Sequence, residues 1–290
     1  CRGGAYLYNA VDDEYDDGLY HRAFQPNPRA HTMKIDFAKY SSVRIGGTFE
    51  AQVLDERAQF SGFIIGGANN LLVSPAPKTL GILGRKFDFI EILEQNTKFV
   101  VLEIGCATKA SKIHRFCKER NLGGFEFLRK IPGLLGGLLK MNAGLKDECV
   151  SAHLLSVNLA NTELLREQIA FNYRFCPINE VMFSAKFQLN FGFDERKDEL
   201  LKTARSNQPS GASFGSIFKN PKGDFAGRLV EAVGLKGYKK GGAMISDKHA
   251  NFLINTKNAS FEDAIYLIEF AEKRVFDEFG VRLEREVVVI

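Results

Sequence analysis

Between residues 60 and 104 short apolar runs alternate with glycine, proline and asparagine: Phe63-Ile64-Ile65, Leu71-Leu72-Val73, 80–83, 89–93 and 99–104. Runs of this length bounded by turn residues predict β-strands. In TKASKIHRFCKERN, Ala110, Ile113 and Cys117 recur at helical spacing with the Lys and Arg residues on the other face. That pattern predicts an amphipathic helix capped by Thr108 and stopped by Gly123-Gly124. Phe183, Ala185, Phe187 and Leu189 then alternate with Ser184, Lys186 and Gln188, the period of a half-buried strand. The stretch 193–211 is charged and then turn-rich, which predicts a boundary near 195. Beyond it, DFAGRLVEAVG predicts a helix capped by Asp224 and stopped by Gly234. A longer helix follows, with Ser260 and Asp263 in capping-box spacing and a core face of Ile265, Ile268, Ala271, Val275 and Phe279. NFLIN (251–255) and EVVVI (286–290) predict strands, and no solenoid or propeller repeat is present.

Residues 1–32 carry an acidic run and no sustained periodicity, and Met33 reads as the start of the folded chain. The segment is expected to be an extension, a tag or upstream translation. It lacks the basic start, apolar stretch and small-residue cleavage site of a signal peptide. With 290 residues, 45 % hydrophobic and 26 % charged, the chain is globular in composition. No apolar run approaches the roughly 18 residues of a bilayer span, so no membrane association is expected. A net charge of +4 suits a small anionic substrate better than nucleic acid. Five cysteines (Cys1, Cys106, Cys117, Cys149, Cys176) without a C-x-x-C pair indicate neither a disulfide framework nor a bound metal, and a reducing cytoplasm is the expected location.

Candidate chemistry begins with glycine. IIGGANNLLV (64–73) lacks the G-x-G-x-x-G spacing, and no P-loop motif occurs. Gly66-Gly67 alone reads as a tight turn more readily than as a ligand contact. In IPGLLGGLLKMNAG (131–144), Gly133, Gly136 and Gly137 are each unfavourable by roughly 1 kcal/mol in a helix interior. They suggest that something flat or phosphorylated lies against the backbone. GASFG (211–215) matches the nucleophile elbow G-x-S-x-G, with Asp224 or Asp247 and then His249 in triad order. Yet no apolar strand precedes Ser213, which argues against a hydrolase. Taken singly, GSIFKNP (215–221) reads as a turn, Arg174 as a solvated edge residue and LKGYKK (235–240) as surface or a diphosphate grip. Glu286, in an apolar strand, must face either solvent or a site.

In order, YSSVRIGG (40–47), IIGGANNLLV, KIPGLLGGLLKMNAG, NYR (172–174), QPSGASFGSIFKNP (208–221), AGRLVEAVGLKG (226–237), SDKHANFLIN and LEREV (283–287) resemble the UDP-N-acetylenolpyruvoylglucosamine reductase family. The likeness runs from about Met33 to the C-terminus, in the shorter subtype without a tyrosine lid loop. It implies an α+β fold: an FAD-binding region of two α+β subdomains of the vanillyl-alcohol-oxidase (PCMH) type over 33–195, and a substrate-binding α+β domain over 196–290. It further implies non-covalent FAD, NADPH as hydride donor and UDP-N-acetylglucosamine enolpyruvate as substrate in peptidoglycan precursor synthesis, with no obligate protein partner. By the same resemblance Arg174 polarises the substrate carboxylate, Glu286 stabilises the enol-like intermediate and Ser216 protonates the α-carbon, a transfer that requires either the nearby Lys219 ammonium or a highly basic carbanion. Ile65, Gly66, Gly67, Ala68, Asn69 and Asn70 would surround the FAD diphosphate. Ile131, Pro132, Gly133, Gly136, Gly137, Asn142, Ala143 and Gly144 would lie along the ring system. Lys219, Asn220, Lys236 and Lys248 would meet the UDP-sugar. Departures from the family pattern are Phe175-Cys176-Pro177 after Arg174 and Leu134-Leu135 in place of the usual Ser-Val. Rival readings are a flavin oxidase on the same scaffold, where Cys106, His114 or Cys117 would offer covalent attachment, a regulator without turnover, and the Ser213 hydrolase.

Overall fold

Strand Thr32–Asp36 runs antiparallel to Thr48–Leu54, which lies parallel to Leu80–Leu83, itself parallel to Phe63–Ile65. The structure, a computed structural model, describes residues 31–145, 148–203 and 209–290, and His31–Ile290 form one compact unit. The expected extension lies outside the described residues except for His31 and Thr32. Ile35, Phe37, Ala51, Ile65, Ala68, Val73 and Leu80 fill the space behind this four-stranded sheet.

A second sheet of five antiparallel strands has the order Glu163–Leu165, Leu154–Asn158, Ser184–Asn190, Phe99–Gly105, Ile90–Gln95. The alternation at 183–189 does what its period implies. Ala185, Phe187 and Leu189 point inward with Val100, Leu102 and Ile104 against helix Ala110–Glu119, which buries Ala110, Ile113 and Cys117. The start and stop of that helix differ from expectation. Thr108 is buried with its hydroxyl donating to the Phe89 carbonyl at 3.0 Å, and Lys109 takes the cap position without a side-chain bond. At the other end Asn121, at φ +55°, supplies the left-handed turn before either glycine is reached.

The third layer packs strands Lys239–Lys240, Ala243–Ile245 and Leu253–Asn255 against helices Ala226–Ala232 and Phe261–Phe279. The Ser260/Asp263 capping box forms as expected. The buried face is rotated: Ala264, Leu267, Ile268, Ala271 and Val275 form the apolar stripe, and Phe279 is 40 % exposed beside the Arg228 guanidinium. Asp224 does not cap the shorter helix. Its carboxylate binds Arg228, which holds it down at about 2, and Asn220 Oδ1 accepts the Ala226 amide at 3.1 Å instead. Helix Leu135–Lys140 takes Gly136 and Gly137 into its first turn despite their low helix propensity.

The chain ends far from where it was last built. Val288–Val289 pairs in parallel with Leu71–Leu72, and the Val288 amide donates to the Asn70 carbonyl at 3.0 Å. This return brings Glu286 beside the first glycine turn.

Burial holds His153 and His249 below the ordinary histidine range. The unfolded chain therefore binds more protons than the folded one between the depressed native values and about 6.5, so stability falls as pH drops through that window. Urea midpoints should decrease from pH 7.5 to 5, and His249→Gln should flatten that slope; an unchanged slope in both His249→Gln and His153→Gln removes the histidines as its cause.

Candidate active site

Two glycine stretches face each other. In the turn after Phe63–Ile65, every carbonyl from Gly66 to Ala68 is occupied. The Tyr40 hydroxyl donates to Gly66 O (2.8 Å) and Asn69 Nδ2 to Gly67 O (2.9 Å), while the Ser42 amide and hydroxyl reach Ala68 O (3.2 and 3.5 Å). Among the described residues no protein acceptor meets the amides of Gly67, Ala68 or Asn69. Opposite lies 131–137: a Cβ on Gly67 would stand 3.2 Å from Gly133 Cα, and one on Gly66 would stand 4.0 Å from Gly137 N. Gly133 needs its φ of +122°, while its carbonyl takes the Ala110 amide at 3.0 Å. The amides of Leu135 and Gly136 donate to Thr108 O and Cys106 O at 2.9 Å each. A Cβ on Gly137 would meet nothing within 4 Å. A cradle whose carbonyls are tied up and whose N–H groups remain has the chemistry that binds a diphosphate. Ile65 is buried behind it, Ile131 is half-buried on the core and Pro132 is exposed.

Asn142 is buried, at φ +39°, with Nδ2 donating to Asn172 O at 3.1 Å and Oδ1 accepting the Ser151 amide at 3.4 Å. Ala143 and Gly144 continue into a two-strand ladder with Glu148–Cys149, where a Cβ on Gly144 would stand 1.9 Å from Glu148 O.

Beside the cradle is an acid–base pocket. The amides of Asn172 and Phe175 donate to each other's carbonyls at 3.1 Å, making a tight turn with Tyr173-Arg174 at its tip. Arg174 sits at φ +52°, a strained region for a non-glycine residue. Its Nε donates to Glu286 Oε1 at 3.1 Å and its Nη2 to Gly144 O at 3.1 Å, with the two side chains only 22 % and 17 % exposed. Glu286 is fixed by its backbone: its amide donates to Ile217 O at 2.8 Å and its carbonyl accepts Asn70 Nδ2 at 2.8 Å. Both residues line a cavity of about 320 Å³ that also touches Lys140, Phe175, Cys176, Lys219 and Arg285.

The cavity joins Arg174, Glu286 and Lys219 of the expected set. Lys219 pairs with Glu284, so its positive charge is partly compensated. Ser216 does not line the cavity, but it precedes Ile217, whose carbonyl takes the amides of both Glu286 and Val287. Lys236 is exposed and paired with Glu231 at 2.8 Å, Lys248 is exposed, and neither lines the cavity. Sequence reasoning missed Tyr40, Lys140 and Arg285. Arg285, forked onto Glu272, has no local signal beyond its place next to Glu286. Cys106 and Cys117 are buried, with thiols pushed up by that burial, and His114 is engaged by Asp198 at 2.9 Å, so none is poised for covalent attachment. Ser213 fits no elbow. Its Oγ accepts the Gly215 amide at 3.2 Å, and His249 stands against Phe252 with its Nδ1 accepting the Asn251 amide.

The family model described as UDP-N-acetylenolpyruvoylglucosamine reductase, C-terminal domain, matches residues 207–290. A protein of Campylobacter jejuni (strain RM1221) with the name UDP-N-acetylenolpyruvoylglucosamine reductase is 69 % identical over 258 residues, covering 89 % of this chain and 100 % of its own. One of the same name from Helicobacter hepaticus is 45 % identical over 265 residues, with 89 % and 99 % covered. The crystal structure of that reductase, MurB, from Thermus caldophilus superposes with a TM-score of 0.77 at 26 % identity, over 90 % of this chain and 99 % of that one. A glycine cradle with paired carbonyls, an Arg174–Glu286 pocket beside it and relatives matched along their whole length agree: the chain belongs to the UDP-N-acetylenolpyruvoylglucosamine reductase family.

Proposed function

We propose that the protein reduces the enolpyruvyl ether of UDP-N-acetylglucosamine to UDP-N-acetylmuramate, a step of peptidoglycan precursor synthesis, with non-covalent FAD and with NADPH as electron source. The observation that carries this reading is the Arg174–Glu286 pair in the cavity beside the glycine cradle. FAD, when bound, supplies the hydride that adds to the β-carbon. The 33–195 part would hold it, with the amides of Gly67, Ala68 and Asn69 against its diphosphate.

The remaining chemistry falls to side chains. Adding hydride to an α,β-unsaturated carboxylate drives negative charge onto the α-carbon and the carboxylate, so a fixed cation lowers the barrier. Arg174 would hold the carboxylate, and its bond to Gly144 O keeps the guanidinium from following the substrate out. Glu286 orients Arg174 and would stabilise the enol form. The Ser216 hydroxyl would deliver the proton to the α-carbon. Lys219 would meet the UDP-sugar from the cavity wall, with Asn220, Lys236 and Lys248 reached by a substrate extending along the 196–290 part. Four cations, Lys140, Arg174, Lys219 and Arg285, line one cavity against the single carboxylate of Glu286, a balance that favours an anionic ligand. Among the described residues no helix is long and apolar enough to cross a membrane. A soluble nucleotide-sugar substrate favours work in the cytoplasm.

The test is a visible spectrum of the purified protein under anaerobic conditions, before and after NADPH and then UDP-N-acetylglucosamine enolpyruvate. Flavin bands that bleach with NADPH and return with substrate are expected. A colourless protein that neither takes up added FAD nor oxidises NADPH overturns the reading, and colour restored only by O₂ favours an oxidase.

A further inference from the structure

Lys140 touches the cavity and has no role in the reduction proposed above, yet its ammonium makes three contacts to one loop. Nζ donates to the carbonyls of Cys176 (3.3 Å) and Ile178 and to Oδ1 of Asn179 (3.3 Å). Two residues further on, Asn142 Nδ2 donates to Asn172 O at 3.1 Å. The two grips flank the turn 172–175 on either side. The turn needs them: Arg174 at its tip sits at φ +52°, a conformation that persists in a non-glycine residue only where the surroundings impose it. Both grips issue from the end of helix Leu135–Lys140, whose other end carries Gly136 and Gly137 of the cradle.

We propose that Lys140 is a positioning residue for the reduction, fixing residues 176–179 so that the Arg174 guanidinium stays on Glu286 and aimed into the cavity. The inference rests on the reductase reading above. An ammonium suits the task because three diverging acceptors, two carbonyls and a side-chain amide oxygen, call for three donors on one flexible stem. A neutral side chain of similar length keeps the stem and loses every donor. Lys140 is exposed and outside the hydrophobic core, so the fold does not depend on it.

The test compares Lys140→Met and Lys140→Arg with wild type, all loaded with FAD. Lys140→Met should be bleached by NADPH at the wild-type rate and keep the wild-type thermal midpoint. Its reoxidation by UDP-N-acetylglucosamine enolpyruvate should slow about 10- to 100-fold, the usual effect of losing a group that orients a catalytic one. Calorimetry should show the product UDP-N-acetylmuramate bound roughly tenfold more weakly, because its carboxylate meets a loosened Arg174. Lys140→Arg, which keeps charge and donors, should recover most of both losses. Wild-type reoxidation and product affinity in Lys140→Met, equal slowing of both half-reactions, or no recovery in Lys140→Arg would each overturn the proposal. Failure of the reductase reading itself would appear in the wild type, as flavin that stays bleached when substrate is added.

Discussion

Ser216→Ala is expected to bleach with NADPH at nearly the wild-type rate and then to regain its flavin colour ~10²–10⁴-fold more slowly on adding the enolpyruvyl substrate, the range associated with a lost general acid. The asymmetry follows from where the residue stands. Ser216 lies in an extended stretch bridged to Phe252 on one side, while the next two residues serve the C-terminal tail: Ile217 O takes the Glu286 and Val287 amides, and Phe218 bridges Arg285. The hydroxyl is thus carried on the same backbone ladder that fixes Glu286, and among the described residues it makes no hydrogen bond that a substitution would break. Removing it should leave the glycine cradle of the 66–69 and 131–137 turns, to which Ser216 makes no hydrogen bond among the described residues, untouched. A serine hydroxyl is a poor acid, and the Lys219 ammonium that would assist it is already shared with Glu284. The proton must therefore move to a strongly basic carbanion, one formed only after hydride has arrived, so no step before hydride transfer should sense the mutation. Stopped-flow absorbance in the two half-reactions decides this. Equal slowing of both would show that Ser216 shapes the site instead of donating the proton.

The residue types of the site were legible in the chain, but their meeting was not. Gly66-Gly67 and the glycines at 133–137 declare a backbone that something must approach, and Phe183 to Leu189 announce their strand by period alone. What assembles the pocket is long-range pairing by very short elements. Val288–Val289 and Leu71–Leu72 are two residues each, too short to show any period, and they join positions more than two hundred residues apart. Without that pairing Glu286 is one more carboxylate near a terminus. Arg174 is raised by a four-residue turn whose grips, Asn142 and Lys140, come from a different segment, so its neighbours gave no hint of a strained backbone. Strand Thr48–Leu54 escaped notice for a related reason: it buries only Ala51 and Leu54 and therefore shows no clean apolar face. Helix ends were misread where another bond took the cap side chain away: a tertiary one from Thr108 to Phe89 O, and a local i,i+4 one from Arg228 to Asp224.

Gly67→Val should abolish flavin retention, giving a colourless protein that stays folded and gains no colour with added FAD. The cradle leaves no room: even one carbon at position 67 would stand 2.6 Å from Asn69 Nδ2 and 3.2 Å from the Gly133 Cα. Asn69 can swing aside, since it is a side chain. Gly133 cannot, because its carbonyl is bound to the Ala110 amide and the residues after it to Cys106 and Thr108. The valine must therefore lift the 66–69 turn away from 131–137, and a β-branched side chain with its stiff rotamers has the least freedom to avoid this. Lifting the turn also strains the bond from the Tyr40 hydroxyl to Gly66 O, one of those that leave the amides as the free polar groups. A diphosphate held by backbone N–H groups loses them together when the turn moves, so binding should fail outright rather than weaken by a single contact. The fold should survive, because the turn belongs to the smaller core around Ile35, Phe37 and Ile65, while the five-stranded sheet and the C-terminal layer pack on separate clusters. Far-ultraviolet circular dichroism and the visible spectrum, read on one sample, separate the cases. A yellow Gly67→Val protein would place the diphosphate elsewhere, and an unfolded one would show that the contact between the two glycine turns serves stability first; Gly67→Ala, smaller by two methyl groups, would then have to lose flavin while folded for the assignment to stand.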